Sequence, residues 1–237
     1  MENNILTCQG LSKQYSMKKA LDNVTLTLPA GRMVGLLGPN GSGKTTFLKL
    51  IAGFLTPSAG EVYVCGKKPG VETKRLVSYL PDRLALDRYE RVFQLLQMYE
   101  DFFDDFDAQK AILMLEDLKI EPNMRLSAMS KGMLEKVQLI LTMSRNAKLY
   151  LLDEPLGGVD PAARDYILNT ILRNYNENST VIFSTHLISD VEKILDDAIL
   201  LKEGKVEMFK SVDDIRTEHG KSVDELFREV FQCSQSY

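Results

Sequence analysis

A glycine-rich segment near residue 40 has the residue types and spacing of a phosphate-binding loop. Glycine is followed by four residues, a second glycine, a lysine and a threonine, in a segment made of Gly38, Pro39, Asn40, Gly41, Ser42, Gly43, Lys44, Thr45 and Thr46. Glycines let the backbone bend so that successive N–H groups point at an anion. Lys44 is expected to reach the terminal phosphates of a nucleoside triphosphate, and Thr45 to give its hydroxyl to a magnesium ion.

The residues on either side of this loop predict the elements that a phosphate loop requires. Residues 33–37 form a short apolar run typical of a strand buried on both faces, and residues 47–52 have the composition of a helix. The start of that helix adds partial positive charge beside the phosphates. Strand, loop and helix come in the required order, which favours a nucleotide site over a glycine-rich turn that binds nothing.

A second group of candidate residues follows two later apolar runs. Asp153 and Glu154 come directly after residues 149–152, and His186 follows residues 180–184. Beside a phosphate loop, Asp153 is expected to hold magnesium, usually through water, and Glu154 to polarise the water that attacks the terminal phosphate. His186 could hydrogen-bond that phosphate or the water, although a lone histidine is as often structural.

The elements around these residues alternate between strands and helices. Strands are predicted at 5–8, 24–28, 61–65, 149–152, 180–184 and 198–201, and the later strands are separated by helices at 167–175 and 187–195. This order indicates an α/β fold, with a P-loop nucleotide-binding core whose sheet is parallel or mixed and an antiparallel β subdomain of early strands. Ligands of such sheets bind at the carboxyl ends of the parallel strands, which is where Asp153, Glu154 and His186 fall.

Between about residues 83 and 147 the apolar spacing becomes helical. Two buried faces are predicted, one with Val92, Leu95, Leu96 and Tyr99 and one with Ile112, Leu115 and Leu118. We therefore predict one domain at 1–237. Its parts are a nucleotide-binding core at 1–82 and 148–210, an inserted helical subdomain at 83–147 and a C-terminal helical tail at 211–237.

The stretch at residues 100–107 places carboxylates between phenylalanines. A divalent-metal site is conceivable there. A solvated helix boundary anchored by aromatic side chains is favoured, because charge runs usually lie in solvent. His219 lies in a polar stretch and is assigned no role.

Composition narrows the classes of function. The 237-residue chain is 44% hydrophobic and 26% charged, as in an ordinary soluble globular protein, and its net charge of -4 argues against nucleic-acid binding. Neither an apolar run of membrane-spanning length nor the features of a signal peptide are present. Cys8, Cys65 and Cys233 are widely spaced, which favours reduced thiols in the cytoplasm over disulfides or a zinc site.

In their order, these motifs resemble those of the ATP-binding cassette (ABC) transporter ATPase subunits. The resemblance covers about residues 3–210, and its motifs are GPNGSGKTT, LYLLDEP, GGVDP with Asp160, and FSTH with His186. It implies that Glu154 is the catalytic carboxylate and that His186 senses the terminal phosphate. It also implies that Tyr15 stacks on adenine and that Asp160 lies at the partner subunit.

Two segments depart from the family pattern. The family signature Leu-Ser-Gly-Gly-Gln is replaced by Met-Ser-Lys-Gly-Met at 129–133. This keeps Ser130 and Gly132, which the resemblance places at the terminal phosphate of the opposite subunit, and adds Lys131, a cation that should be tolerable or helpful there. Asp82 stands where the family usually has glutamine; aspartate can reach a magnesium-bound water but cannot donate a hydrogen bond. Asp82 is thus a candidate metal-site residue.

The resemblance implies an ATP-binding and ATP-hydrolysing subunit that powers transport through separate membrane subunits at the cytoplasmic face of the cell membrane. Its cofactors would be ATP and Mg²⁺. Its partners would be a second nucleotide-binding subunit, identical or not, and integral membrane subunits, without nucleic acid. Export is preferred over import by analogy alone, and the substrate is undetermined.

Two alternatives remain open. One is a non-transport module, either an ATP-gated regulatory dimer or an ATPase acting on ribosomes or DNA, although the acidic balance counts against it. The other is a GTPase, which the lack of an Asn-Lys-x-Asp motif disfavours.

Overall fold

Two β-sheets form the framework of the chain, in a computed structural model that describes residues 4–84, 86, 90–157, 159, 161–176 and 178–232. The strands are β1 (Asn4–Tyr15), β2 (Lys18–Pro29), β3 (Met33–Leu37), β4 (Ala59–Val64), β5 (Val77–Leu80), β6 (Leu149–Asp153), β7 (Thr180–Thr185), β8 (Asp197–Lys202) and β9 (Lys205–Ser211). The smaller sheet is antiparallel in the order β2-β1-β4. The larger has the order β5-β6-β7-β3-β8-β9 and is parallel except for β9. The predicted α/β fold with a mixed sheet and separate antiparallel strands is confirmed.

Helices cover these sheets and fill one long interval between strands. The α-helices of the described residues are α1 (Lys44–Ile51), α2 (Val71–Lys74), α3 (Val92–Phe102), α4 (Ala108–Asp117), α5 (Lys131–Met143), α6 (Pro161–Asn174), α7 (Ile188–Val191), α8 (Val212–His219) and α9 (Val223–Gln232). Three of them, α3 to α5, occupy the interval between β5 and β6. Helices α8 and α9 follow the last strand.

Helix α1 packs between the two sheets. Its residues Phe47, Leu48, Leu50 and Ile51 are at most 1% exposed, and they share a core with Leu6 of β1. Full burial of each such side chain stabilises the fold by roughly 1.5–3 kcal/mol. The position of α1, and of the loop that leads into it, is therefore fixed by the main core.

The carboxyl ends of three neighbouring strands meet at one edge of the large sheet. Leu37 of β3 lies opposite Thr185 of β7, and Asp153 of β6 lies opposite Ser184 of β7. Every residue of these three strands is buried, as the apolar runs predict. The phosphate loop, the acidic pair and His186 consequently leave the sheet side by side.

The predicted helical spacing at 83–147 is correct for α3 and partly wrong for α4. Val92 of α3 is fully buried, whereas Ile112 of α4 is 40% exposed. The residues that α4 buries are Ala111, Met114 and Leu115, which follow the i, i+3, i+4 spacing of a helical stripe. The predicted face included Leu115 correctly but began one residue too late.

The acidic and aromatic stretch at 100–107 forms a helix boundary. Helix α3 ends at Phe102, and Phe103 packs on Tyr99 with ring centroids 5.4 Å apart. Arg145, whose side chain is 3% exposed, pairs with Asp105 at 2.6 Å and lies over the Phe103 ring. Among the residues that the structure describes, no group of three His, Cys, Asp or Glu side chains could hold a metal ion. These contacts support the boundary interpretation over a metal site.

Two of the three cysteines lie within the described residues. Cys8 and Cys65 are free thiols, and burial raises the pKa of Cys8 to about 12. Cys233 lies outside the described residues. Within the described ranges, no helix has both the length and the apolar character needed to cross a membrane.

Candidate active site

A cleft of about 510 Å³ opens at the edge where β3, β6 and β7 end. A volume of this size is in the usual range for a small-molecule site. Its lining brings together distant parts of the sequence, namely Tyr15, Lys18, Ala20, Asn40, Gly41, Gly43, Lys44, Thr45, Thr46, Asp82, Glu154, Gly157 and His186. Ten of the sequence-based candidates, from Tyr15 to His186, therefore share one surface.

The phosphate loop is shaped by close approaches of other backbone segments. At Gly43 φ is 111°, and an added Cβ would lie 2.4 Å from the carbonyl oxygen of Ala20 in β2. At Gly38 an added Cβ would lie 2.4 Å from the carbonyl oxygen of Leu201 in β8. Both positions require glycine, because these backbone oxygens belong to strands that cannot move aside.

Two polar groups of the loop are buried in positions that suit an anion. Lys44 is 5% exposed, and its Nζ donates to the carbonyl oxygens of Gly38 at 2.7 Å and Pro39 at 3.3 Å. Ser42 Oγ is buried and has no hydrogen-bond partner among the described residues. A buried ammonium and an unpaired hydroxyl at a helix start can bind a phosphate group, which accepts hydrogen bonds from both.

Asp153 lies at the end of β6, directly beside Thr45 of α1. Its Oδ1 accepts hydrogen bonds from Thr45 Oγ1 at 3.1 Å and Ser184 Oγ at 2.8 Å, and its Oδ2 from the Tyr79 hydroxyl at 3.3 Å. Burial raises the pKa of Asp153, with a smaller contribution from the charge of Asp82, while the three hydroxyl hydrogen bonds act in the opposite direction. The adjacent hydroxyl and carboxylate oxygens are the donor types that Mg²⁺ prefers.

Glu154 lies between a lysine and a histidine in the cleft. Its φ of 49° is uncommon for a residue with a side chain, and it turns the chain away from β6 at this point. Its Oε1 is 3.1 Å from Lys44 Nζ, and its Oε2 is 3.0 Å from His186 Nδ1. The Glu154 side chain is 11% exposed, so the carboxylate is fixed in position yet reachable by a water molecule.

Ser184 is a site residue that the motif comparison did not assign. It is fully buried at the end of β7, where its Oγ donates to Asp153 Oδ1 at 2.8 Å and accepts from the Glu154 N–H at 2.9 Å. One hydroxyl thus positions both acidic residues. The signal in the sequence was a serine ending the apolar run just before Thr185 and His186.

Tyr15 ends β1 at the mouth of the cleft and is 46% exposed. Lys13 Nζ lies 5.4 Å from the centre of its ring and donates to the carbonyl oxygen of Thr56 at 2.7 Å. An exposed aromatic ring beside a phosphate loop can stack against a flat nucleotide base.

Among the described residues, the predicted site residues that do not line this cleft are Gly38, Pro39, Ser42, Ser130, Gly132 and Asp153. Ser130 caps α5, accepting from the Met133 N–H at 3.3 Å, and Ser130, Lys131 and Gly132 are exposed. Ser130 and Gly132 do not line the cleft described above. Asp160 lies outside the described residues.

Comparison with known proteins assigns the chain to a family. The sequence model of the ABC transporter family matches residues 21–157. The chain is 32% identical over 212 residues to an ABC transporter ATP-binding protein of Methanocaldococcus jannaschii, covering 87% of this chain and 78% of the relative. It is 29% identical over 215 residues to the ATP-binding protein of the lipopolysaccharide export system of Haemophilus influenzae, covering 86% and 89%.

A solved structure agrees with this assignment. The structure of an ATP-binding subunit of an ABC transporter superposes with a TM-score of 0.86 at 28% identity, covering 95% of this chain and 99% of that one. The cleft of this chain brings together residues of the phosphate loop, Glu154 and His186, and Asp153 lies beside it at Thr45. The chain therefore belongs to the ABC transporter family, as an ATP-binding subunit that hydrolyses ATP.

Proposed function

We propose that two copies of this chain close on ATP and Mg²⁺ and thereby drive transport through separate membrane subunits, at the inner face of the cell membrane. The division of the site carries this proposal. The phosphate loop, Glu154 and His186 share one cleft, whereas Ser130 and Gly132 are exposed elsewhere. Because one chain carries both kinds of half-site, two facing copies can supply every group that the reaction needs.

The cleft residues divide the work of phosphoryl transfer. Lys44 and the N–H groups of the loop bind the phosphates, in place of the present contacts of Lys44 with Gly38 and Glu154. Thr45 and Asp153 would hold Mg²⁺, which would neutralise charge on the phosphates when bound. Glu154 accepts a proton from the attacking water, and His186 orients the Glu154 carboxylate.

Five further residues are proposed to complete the site. Asp82 lines the cleft, from where it would reach a water bound to the metal ion. Tyr15 stacks on the adenine, and Asp160 faces the second subunit. Ser130 and Gly132 bind the terminal phosphate held by the second copy, through the start of α5.

Ser184→Ala is expected to lower both stability and ATP turnover. The change removes a hydrogen bond to Asp153 and leaves the Glu154 N–H without its hydroxyl acceptor. Loss of one such buried partner costs about 1–3 kcal/mol of unfolding free energy. Thermal unfolding and the rate of phosphate release measure the two effects.

Ser78→Ala is the matched control for Ser184→Ala. Ser78 is also a buried strand serine, but its Oγ donates to the Thr142 carbonyl oxygen at 2.9 Å and makes no contact with the acidic pair. Both variants should unfold at lower temperature, while Ser184→Ala alone should lose turnover. Equal turnover in the two variants would show that Ser184 has no role in positioning Asp153 and Glu154.

Tyr15→Ala is expected to weaken ATP binding by about 1–3 kcal/mol, since stacking of a base on an aromatic ring contributes that much. Tyr15→Phe keeps the ring and should bind ATP as the wild type does. Met17→Ala, at a residue of the same hairpin that is 98% exposed, is the control. Dissociation constants for ATP and for inorganic triphosphate distinguish base stacking from phosphate binding, because only the former depends on Tyr15.

An aromatic groove of about 250 Å³ beside β5 and α3 is the proposed docking surface for the membrane subunit. Its lining includes Phe54, Lys74, Tyr79, Tyr99, Phe103 and Arg145. Aromatic residues and arginine are the types enriched in interface cores, and Phe54 is 57% exposed. Tyr79 lines the groove and also donates to Asp153, so one residue links this surface to the nucleotide site.

Export is the proposed direction, supported only by the names of relatives such as the lipopolysaccharide export protein of Haemophilus influenzae. Affinity purification of the tagged chain from detergent-solubilised cells of its own source tests whether the partner is a membrane subunit. An integral membrane protein should copurify with the wild type and be lost with Phe54→Asp. Copurification of ribosomes or DNA, without a membrane protein, would favour the non-transport alternative.

A further inference from the structure

Arg164 links two segments of the chain through its side chain. It lies in the first turn of α6, where its Nη1 donates to the Asp190 carboxylate at 2.8 Å. Its Nε donates to the carbonyl oxygen of Val159 at 3.2 Å. The Arg164 and Asp190 side chains are 26% and 30% exposed, so the contact is partly shielded from solvent.

Each of these two segments leads back to a residue of the active site. Val159 belongs to the segment that continues from Glu154 towards α6. Asp190 belongs to α7, which begins two residues after His186. Because Glu154 Oε2 and His186 Nδ1 are 3.0 Å apart, the two segments start at one contact and meet again at Arg164.

Helix α7 needs an anchor of this kind. It has four residues, and a single turn is not stable by itself. Ile188 and Val191 are buried and hold its apolar side, but apolar burial is not directional. The planar guanidinium, which donates in fixed directions, restricts the rotation of α7 and therefore the position of the His186 backbone.

We propose that Arg164 is a positioning residue, which fixes His186 against Glu154 by tying α7 through Asp190 to the segment at Val159. The inference rests on the proposed roles of Glu154 and His186. Arg164 does not line the cleft, and it acts on hydrolysis only through the two segments that it holds.

The test compares ATP affinity with turnover in purified variants. Arg164→Gln and Asp190→Asn should each lower kcat by on the order of 10-fold, since small displacements of catalytic groups have effects of this size or larger. The Kd for ATP should change by less than about 2-fold, because the phosphate loop is untouched. Arg164→Asp combined with Asp190→Arg should recover part of the lost kcat, because the ion pair is restored while the bond to Val159 is not.

Arg228→Gln is the matched control. Arg228 pairs with Asp224 at 2.6 Å within α9, so this Arg–Asp contact lies outside the cleft and joins no second element. The inference is overturned if Arg164→Gln has the kcat of Arg228→Gln, or if kcat, ATP affinity and melting temperature fall together without recovery in the charge-exchange variant. The proposed function would be overturned as well if the wild-type chain showed no ATP hydrolysis, or only hydrolysis that Glu154→Gln leaves unchanged.

Discussion

Replacing Glu154 with glutamine is expected to abolish ATP hydrolysis while preserving ATP binding. An amide has nearly the shape of the carboxylate but cannot accept the proton of the attacking water, and loss of a general base lowers kcat by about 10²- to 10⁴-fold. ATP affinity should stay the same or increase, because Lys44 loses the carboxylate that now lies 3.1 Å from its Nζ. Phosphate release and the Kd for ATP measure the two quantities.

Glu72→Gln is the control for Glu154→Gln, because it makes the same chemical change at an exposed glutamate. Glu72 is 74% exposed and pairs with Lys67, away from the cleft. This variant should hydrolyse ATP at the wild-type rate, as exposed ion pairs contribute little to stability. Residual turnover in Glu154→Gln equal to that of Glu72→Gln would exclude Glu154 as the base.

Lys44→Met is expected to remove most of the ATP affinity. Lys44 is the buried cation of the phosphate loop, and each charge-assisted hydrogen bond to a phosphate contributes about 1.5–3 kcal/mol. The Kd should therefore rise by on the order of 10- to 100-fold, and hydrolysis at ordinary ATP concentrations should fall with it. Methionine retains much of the apolar stem, which limits the loss of packing in α1.

Lys49→Met is the control, because it removes a lysine charge from the same helix at a position outside the cleft lining. It should bind ATP like the wild type. If Lys44→Met also binds ATP with wild-type affinity, the phosphate loop does not hold the phosphates through this lysine.

The nucleotide cleft was largely predictable from the sequence for a physical reason. Strands buried on both faces of a parallel sheet need continuous apolar runs, so β3, β6 and β7 were visible as such runs. Parallel strands end at one edge, so the sequence alone predicts Asp153, Glu154 and His186 beside the phosphate loop. The roles of these residues remain proposals that the variants above test.

Other features depended on tertiary contacts that spacing does not encode. Strand β1 runs from Asn4 to Tyr15 and is longer than predicted. The alternation of buried and exposed residues did not reveal its full length, because register shifts against β2 and the positive φ of Gly10 interrupt that alternation. The buried stripe of α4 is set by how that helix meets its neighbours, which moved Ile112 to the surface.

The contacts of Ser184 and Arg164 could not be predicted from the sequence, for the same reason. Ser184 contacts Asp153 from 31 residues away, and Arg164 contacts Asp190 from 26 residues away. No local period or cap signals such pairs, because they follow from the strand register and from the placement of Arg164 beside Asp190 in the folded chain.

The mass of Glu154→Gln in solution tests the central claim most directly, since this variant should bind ATP without hydrolysing it. Light scattering during size-exclusion chromatography should give the mass of one chain without nucleotide and of two chains with ATP and Mg²⁺. Ser130→Arg introduced into Glu154→Gln should prevent that change, because it obstructs the half-site at the start of α5. A single-chain mass at ATP concentrations that saturate binding would contradict the account that a second copy completes the site.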